Sequence, residues 1–333
     1  MTAAKGILMQ DKPDLGALFG AAAQTTTFLG LEACPDTGTL TAPVALIGVP
    51  CATPYASVGA YCRNGPDALR AATAALTANV DRHDFDHGGP VFPQADLRPV
   101  DCGNLPYDEA DPAANRARIA NTVAQIAARG AVPVLLGGDD SIPIPMIEAL
   151  GLSQGDRRLT ILQIDAHIDW RDIHMGERFG LSSTMRRASE MAHVGQIVQV
   201  GARGIGSAAT SDYEDALAAG VVFVTAHELH HGGVGAALSR IPEGSDIVIC
   251  IDADALDPAL VPGVIGRAPG GLSYYQAVDL IKGAAARGRI VAMDFVEFMP
   301  ERDVDGIGAL TFARLITTAL GVLVRQAAAG REG

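Results

Sequence analysis

Three short stretches carry acidic groups at spacings that could do chemistry: Gly137-Gly138-Asp139-Asp140-Ser141, Asp165-Ala166-His167-Ile168-Asp169, and Asp252-Ala253-Asp254-Ala255-Leu256-Asp257-Pro258. Each follows directly on an apolar run. Taken singly, each has an ordinary reading: a strand-to-helix turn with Gly in strained dihedrals and Asp or Ser as a cap, a loop of solvated charges, or an Asx turn opening into a Pro-bearing loop. Together they would bring Asp140, Asp165, His167, Asp169, Asp252 and Asp254 into one crevice. Carboxylates a few ångström apart strongly disfavour joint ionisation unless positive charge compensates them. Two divalent cations supply that charge. A pair of ions roughly 3.5–4 Å apart can activate one water between two Lewis acids, so the chemistry implied is metal-assisted hydrolysis. An oxygen-rich ligand set favours Mn²⁺, and the imidazole keeps Ni²⁺ as an alternative. Alternate residues of a strand point to opposite sides, so Asp165, His167 and Asp169 must leave regular strand geometry to converge.

The elements that would position these groups are legible as alternation. Apolar, β-branched runs at 44–49, 99–102, 132–136, 159–164, 196–200, 221–224, 246–251 and 290–295 alternate with helix-periodic segments at 66–78, 112–129, 145–150, 181–193, 212–219, 236–240, 273–286 and 308–329. This pattern predicts an α/β fold with a mainly parallel eight-stranded sheet covered on both faces. In open parallel sheets ligands bind beyond the carboxyl ends of the strands, where the three acidic stretches fall. An irregular N-terminal arm (1–40) and a single domain (41–333) are expected, with no linker or internal repeat.

The chain has 333 residues, 48% of them apolar and 19% charged, with a formal net charge of −13. That composition excludes a disordered, collagen-like or disulfide-stapled protein. No stretch gathers Lys or Arg, so nucleic acid and anionic membranes are not expected partners, whereas metal ions and small cationic substrates suit an acidic chain. Five cysteines form an odd set without CxxC spacing, which points to reduced thiols and a cytoplasmic setting. Neither a signal peptide nor a run long enough to span a bilayer is expected.

The ordered set GGD-x-S, DAH-x-D and D-x-D-x-x-DP-x-x-x-PG, followed by Gly270-Gly271-Leu272 and Met293-Asp294-Phe295-Val296-Glu297, resembles the ureohydrolases, the arginase and agmatinase family. Arg63, Gly65-Pro66 and Arg70 resemble another family element, as does Gly201-Ala202-Arg203-Gly204. The resemblance runs from about residue 44 to the C-terminus. It implies a three-layer α/β/α fold, a homo-oligomer (trimer or hexamer), and hydrolysis of a guanidino C–N bond to urea and an amine. By the same resemblance Asp165 and Asp252 would bridge two metals, Asp140 and Asp169 would complete one site, and His167 and Asp254 the other. Glu297 would hold the guanidinium.

The chain departs from the family pattern at three places. Asp140 stands where the first motif has histidine, which makes the ligand set more anionic and a bridging water less acidic. After DAH-x-D the family's histidine-bearing stretch is replaced by Leu181-Ser182-Ser183-Thr184, leaving His174 or Asp169 to move protons and Ser182 and Ser183 to contact substrate or cap a helix. In the third motif Val264-Ile265-Gly266-Arg267-Ala268 replaces a segment with a carboxylate, so Arg267 would meet a distal substrate carboxylate. Agmatine, guanidinoalkanoates, guanidine and biguanides all stay open as substrates. The alternative function is a catalytically silent subunit that assembles with an active paralogue.

Overall fold

Four of the strands that end in functional motifs lie side by side. A computed structural model describes residues 26–151 and 158–332; the first part of the expected arm, 1–25, lies outside the described residues. The strands are β1 (Glu32–Ala33), β2 (Val44–Val49), β3 (His83–Asp84), β4 (Gly89–Pro90), β5 (Val100–Asn104), β6 (Val132–Gly137), β7 (Leu159–Ile164), β8 (Val194–Val200), β9 (Val222–Val224), β10 (Asp246–Asp252) and β11 (Arg289–Val296). β3 and β4 form a small antiparallel hairpin. The other nine form one sheet in the order β1-β5-β2-β6-β11-β10-β7-β8-β9, every neighbouring pair parallel. The chain builds β7, β8 and β9 outward, then returns to lay β10 and β11 between β7 and β6. That return brings β6, β11, β10 and β7 together at the centre.

The expected eight strands are all present, and the sheet has a ninth. β1 is only two residues long, both exposed, and carries no hydrophobic alternation that would mark it in the sequence. It is held by Arg70, whose guanidinium clamps Asp101 of β5 through Nε (2.8 Å) and Nη2 (2.9 Å), while Asp101 also accepts from the Phe28 backbone amide at 2.8 Å.

Each central strand buries both faces. In β10, Ile247, Ile249 and Ile251 enter one apolar cluster and Val248 and Cys250 the other. At about 1.5–3 kcal/mol for each large apolar side chain removed from water, this double burial anchors such a strand in the middle of the sheet. Helices Gly65–Thr73, Ala226–Gly232, Gly235–Leu238, Tyr274–Arg287 and Ile307–Glu332 cover the first face through residues such as Leu69, Leu229, Ala237, Leu280 and Leu315. Pro112–Ala128, Pro143–Leu150, Thr184–Ser189 and Thr210–Ala218 cover the second through Ile119, Met146, Met185 and Ala216. The result is the three-layer α/β/α arrangement.

Ala226–Gly232 is a helix absent from the expected set, although Thr225 and Glu228 form a reciprocal capping box at its start. The helix expected over 181–193 is shorter: a 3₁₀ turn at Leu181–Ser183 leads into Thr184–Ser189. The helical stretch Ile307–Arg331 is, contrary to expectation, long and apolar enough to cross a membrane by length and composition. Here it is a core helix, with Phe312, Leu315, Ile316, Leu320 and Leu323 packed against the sheet.

Candidate active site

The two glycines after β6 are required by close approach. A Cβ on Gly138 would lie 1.9 Å from the Pro50 carbonyl oxygen, and one on Gly137 would lie 2.6 Å from Val296 Cγ1. Neither has a positive φ, so the strained-turn reading of this motif does not apply. Of the five non-glycine residues with positive φ among the described residues, two line this cleft, Asp169 (φ 44°) and Glu297 (φ 66°). A non-glycine residue in the left-handed region costs energy that the surrounding packing must offset, and such residues cluster at functional sites.

Beyond the strand ends the acidic groups converge. Donor atoms of Asp165, His167 and Asp254 lie within 4.8 Å of one another, as do those of Asp140, Asp165 and Asp169. Asp165 belongs to both groups. His167 Nδ1 is 3.1 Å from Asp254 Oδ2 and 3.5 Å from Asp165 Oδ1. Asp252 is buried in the same cleft, where its Oδ1 accepts from the Asp254 backbone amide at 2.7 Å. It enters neither donor group.

These groups repel one another. Burial, then Asp169 and Asp165, push the Asp140 carboxyl well above the ordinary carboxylate range. Burial and the neighbouring aspartates do the same to Asp169 and Asp252, and raise Asp254. Asp165 alone is held below its usual value: burial opposes ionisation, but hydrogen bonds involving His167 and Asp169 outweigh it. Burial works against a charged His167, yet its bonds to Asp165 and Asp254 lift it to about 12.

Asp140 Oδ2 is buried with no hydrogen-bond partner among the described residues. An unpartnered buried carboxylate oxygen beside two further carboxylates is what a divalent cation satisfies, and a set of carboxylates with one imidazole suits manganese-type or nickel-type ions. The residues present therefore fit a two-metal centre.

Glu297, after β11, lies at the same cleft and is 4% exposed. Its Oε1 accepts from the Asp140 backbone amide at 2.9 Å and its Oε2 from the Tyr61 hydroxyl at 2.5 Å. Burial, then the charge of Asp139, raise it to about 8. The cleft, of about 240 Å³, is lined by Asp140, His167, Asp169, Asp252, Asp254 and Glu297, with Asp165 behind them, and also by Trp170, Arg171, Ser182, Ser207, Asp212 and Ile265.

Three of the substrate and proton-transfer candidates fall outside that lining. Arg267 turns its guanidinium to the carbonyls of Pro262 (2.7 Å) and Arg302 (3.2 Å). Ser183 is fully buried. His174 sits beside the cleft, with Nδ1 2.9 Å from Arg171 Nη1 and its ring edge-on to Tyr55 at 5.2 Å. Ser182 does line the cleft, its backbone amide donating to the Tyr55 hydroxyl at 3.2 Å.

Four further residues hold the site and went unread in the sequence. Gln163 Nε2 donates to Asp165 Oδ2 (2.7 Å) and Asp169 Oδ2 (2.8 Å), while Gln199 Nε2 donates to Gln163 Oε1 and to the Ile168 carbonyl (2.8 Å). Their signal was a buried amide within a mostly apolar strand, single in β7 (Gln163) and the second of two in β8 (Gln196 and Gln199). Tyr61 and Arg171 gave no comparable signal, being single loop residues.

The acidic strand ends, the paired donor groups and the buried glutamate define a metal-dependent hydrolase of α/β/α architecture. The chain belongs to the Arginase family, whose model matches residues 42–321, and this is a family of guanidino C–N hydrolases, the ureohydrolases. It is 30% identical over 310 residues to the guanidinopropionase of Pseudomonas aeruginosa, covering 91% of this chain and 92% of that one. It is also 30% identical over 284 residues to the mitochondrial agmatinase of Gallus gallus, covering 84% and 80%. Among solved structures, a hypothetical agmatinase from Burkholderia thailandensis superposes with a TM-score of 0.78 at 27% identity over 93% of both chains.

Proposed function

We propose that this chain hydrolyses the guanidino C–N bond of a small ω-guanidino acid, releasing urea and an amine that keeps the distal carboxylate. The observation that carries this reading is Glu297: a buried carboxylate fixed by Tyr61 and the Asp140 amide, opening on the same small cleft as the two donor groups that share Asp165. Two divalent ions, Mn²⁺ in preference to Ni²⁺, held by Asp140, Asp165 and Asp169 and by Asp165, His167 and Asp254, would supply Lewis-acid activation of a water.

The chain's own residues do the rest. Glu297 pairs with the guanidinium and fixes its plane, because a carboxylate can accept two parallel N–H donors. Asp169, at the cleft wall, carries the proton to the leaving amine, and His174, outside the lining and 2.9 Å from Arg171 Nη1, is the relay toward solvent. Ser182 offers a hydroxyl to the substrate. Ile265 and Trp170 pack against its alkyl segment. Arg171 meets the distal carboxylate, the part assigned to Arg267 by sequence; no carboxylate lies within ion-pair distance of Arg171 among the described residues, so its charge is free for a ligand. The relatedness to a guanidinopropionase supports the same substrate class.

The silent-subunit reading rests on Asp140 replacing histidine. Asp140 lies within the donor group of Asp165 and Asp169, so the replacement keeps an oxygen donor in that group and the enzyme is favoured. Assembly as a trimer or hexamer and a cytoplasmic location belong to the same proposal. The test is urea release from a panel comprising guanidinopropionate, guanidinobutyrate, agmatine, guanidine, an uncharged alkylguanidine and a biguanide, each with Mn²⁺ or Ni²⁺. Preference for the guanidinoalkanoates supports the reading; preference for agmatine or a biguanide overturns the acid specificity, and no urea from any compound overturns the function.

A further inference from the structure

We propose that Cys34 and Cys102 form a peroxide-sensitive thiol pair, oxidised to a disulfide that ties the N-terminal segment to the edge of the sheet. β1 lies parallel to β5 with Glu32 opposite Val100 and Ala33 opposite Asp101, so the next step of the register sets Cys34 opposite Cys102. The ladder continues to that step, since the Cys34 amide donates to the Asp101 carbonyl at 2.9 Å. Both side chains pack on the same apolar cluster and therefore on the same face of the sheet. Neighbouring strands lie about 4.7–4.9 Å apart. A disulfide accepts Cα separations of about 4.4–6.8 Å, so the pair can close without moving the backbone far. Independently, burial and then the adjoining Cys34 thiol raise the Cys102 thiol to about 12.

The pair is also reachable. Cys34 and Cys102 are half-buried, whereas Cys51, Cys62 and Cys250 are buried. Cys34 lines a surface cleft of about 260 Å³ together with Pro35, Asp36 and Thr39. In the reaction, the Cys34 sulfur attacks one oxygen of hydrogen peroxide, the O–O bond breaks, and the thiol proton leaves with the departing oxygen as water. The Cys102 sulfur then attacks the Cys34 sulfenic acid, the S–O bond breaks, and a second water departs with the Cys102 proton. Two thiols lose two electrons and one peroxide gains them.

The bond would close at the sheet edge, with β2 between β5 and the central site strands. It therefore locks the segment containing Phe28–Gly30 and β1 without entering the cleft.

The experiment uses the full-length, metal-loaded chain treated with a few equivalents of hydrogen peroxide. Thiols titrated after denaturation should fall from five to three. Peptide mapping should recover a Cys34–Cys102 linked pair, and dithiothreitol should restore both thiols. The oxidised protein should melt above the reduced one, and Cys34→Ser or Cys102→Ser should abolish that shift and the linked pair. An unchanged count of five thiols, or thiol loss without the linked peptide, overturns the proposal. Both readouts come from the unsubstituted chain, so the outcome does not depend on how the serine variants fold.

Discussion

Gln163 holds Asp165 through a 2.7 Å hydrogen bond, and the same amide nitrogen reaches Asp169 at 2.8 Å. One neutral donor thus orients two carboxylates from the second motif, including the aspartate common to both donor groups. Gln199 fixes the direction of that amide, because its own NH₂ donates to Gln163 Oε1. Gln163→Leu should weaken Mn²⁺ binding by about 10–100-fold, the range seen when groups that orient metal ligands are removed. Titration of the metal-free variant checks this, and unchanged affinity would show the amide to be a space-filler.

Tyr61 is the only hydroxyl on Glu297 among the described hydrogen bonds, and it stabilises the ionised form. In Tyr61→Phe that support disappears, so Glu297 should become harder to ionise and the acid limb of the kcat/KM profile should move to higher pH. The loss should be about tenfold or more in kcat/KM, given roughly 1.5–3 kcal/mol for a hydrogen bond to a charged group. A pH–rate profile of the variant beside the parent decides it.

Arg171 is the residue on which acid specificity depends. Arg171→Ala should raise KM for guanidinoalkanoates by about tenfold or more, consistent with losing one charge-assisted contact. An uncharged alkylguanidine should be little affected. Equal losses for both substrates would place Arg171 in general positioning.

The acid cluster also fixes how stability depends on pH. Burial raises Asp139 to about 6, Asp294 to about 7 and Glu297 to about 8. Between the ordinary carboxylate values and these raised ones the folded chain keeps protons that the unfolded chain has released, so stability falls as pH rises. The metal-free protein should therefore lose Tm between about pH 4 and pH 8, and added Mn²⁺ should restore it most at the upper end. Thermal melts across that range, with and without Mn²⁺, give the comparison; a Tm that rises through the window contradicts it.

Most of the sheet was readable because strands buried on both faces announce themselves as short apolar runs, as β7 at Leu159–Ile164 does. β1 was not, since a two-residue edge strand held by the Arg70–Asp101 clamp has no local signature. The acidic residues were readable because their spacing is local. Their partners were not: Tyr61 is 236 positions from Glu297, and only the fold joins them. Arg267 shows the converse error, a residue adjacent in sequence to a motif whose guanidinium turns to backbone carbonyls outside the cleft.

The account stands on two cations held by one acid cluster through Asp165, and anomalous diffraction from crystals grown in excess Mn²⁺ tests it most directly. Two peaks are predicted, one contacting Asp140, Asp165 and Asp169, the other contacting Asp165, His167 and Asp254. A cleft with no anomalous density under those conditions would contradict it.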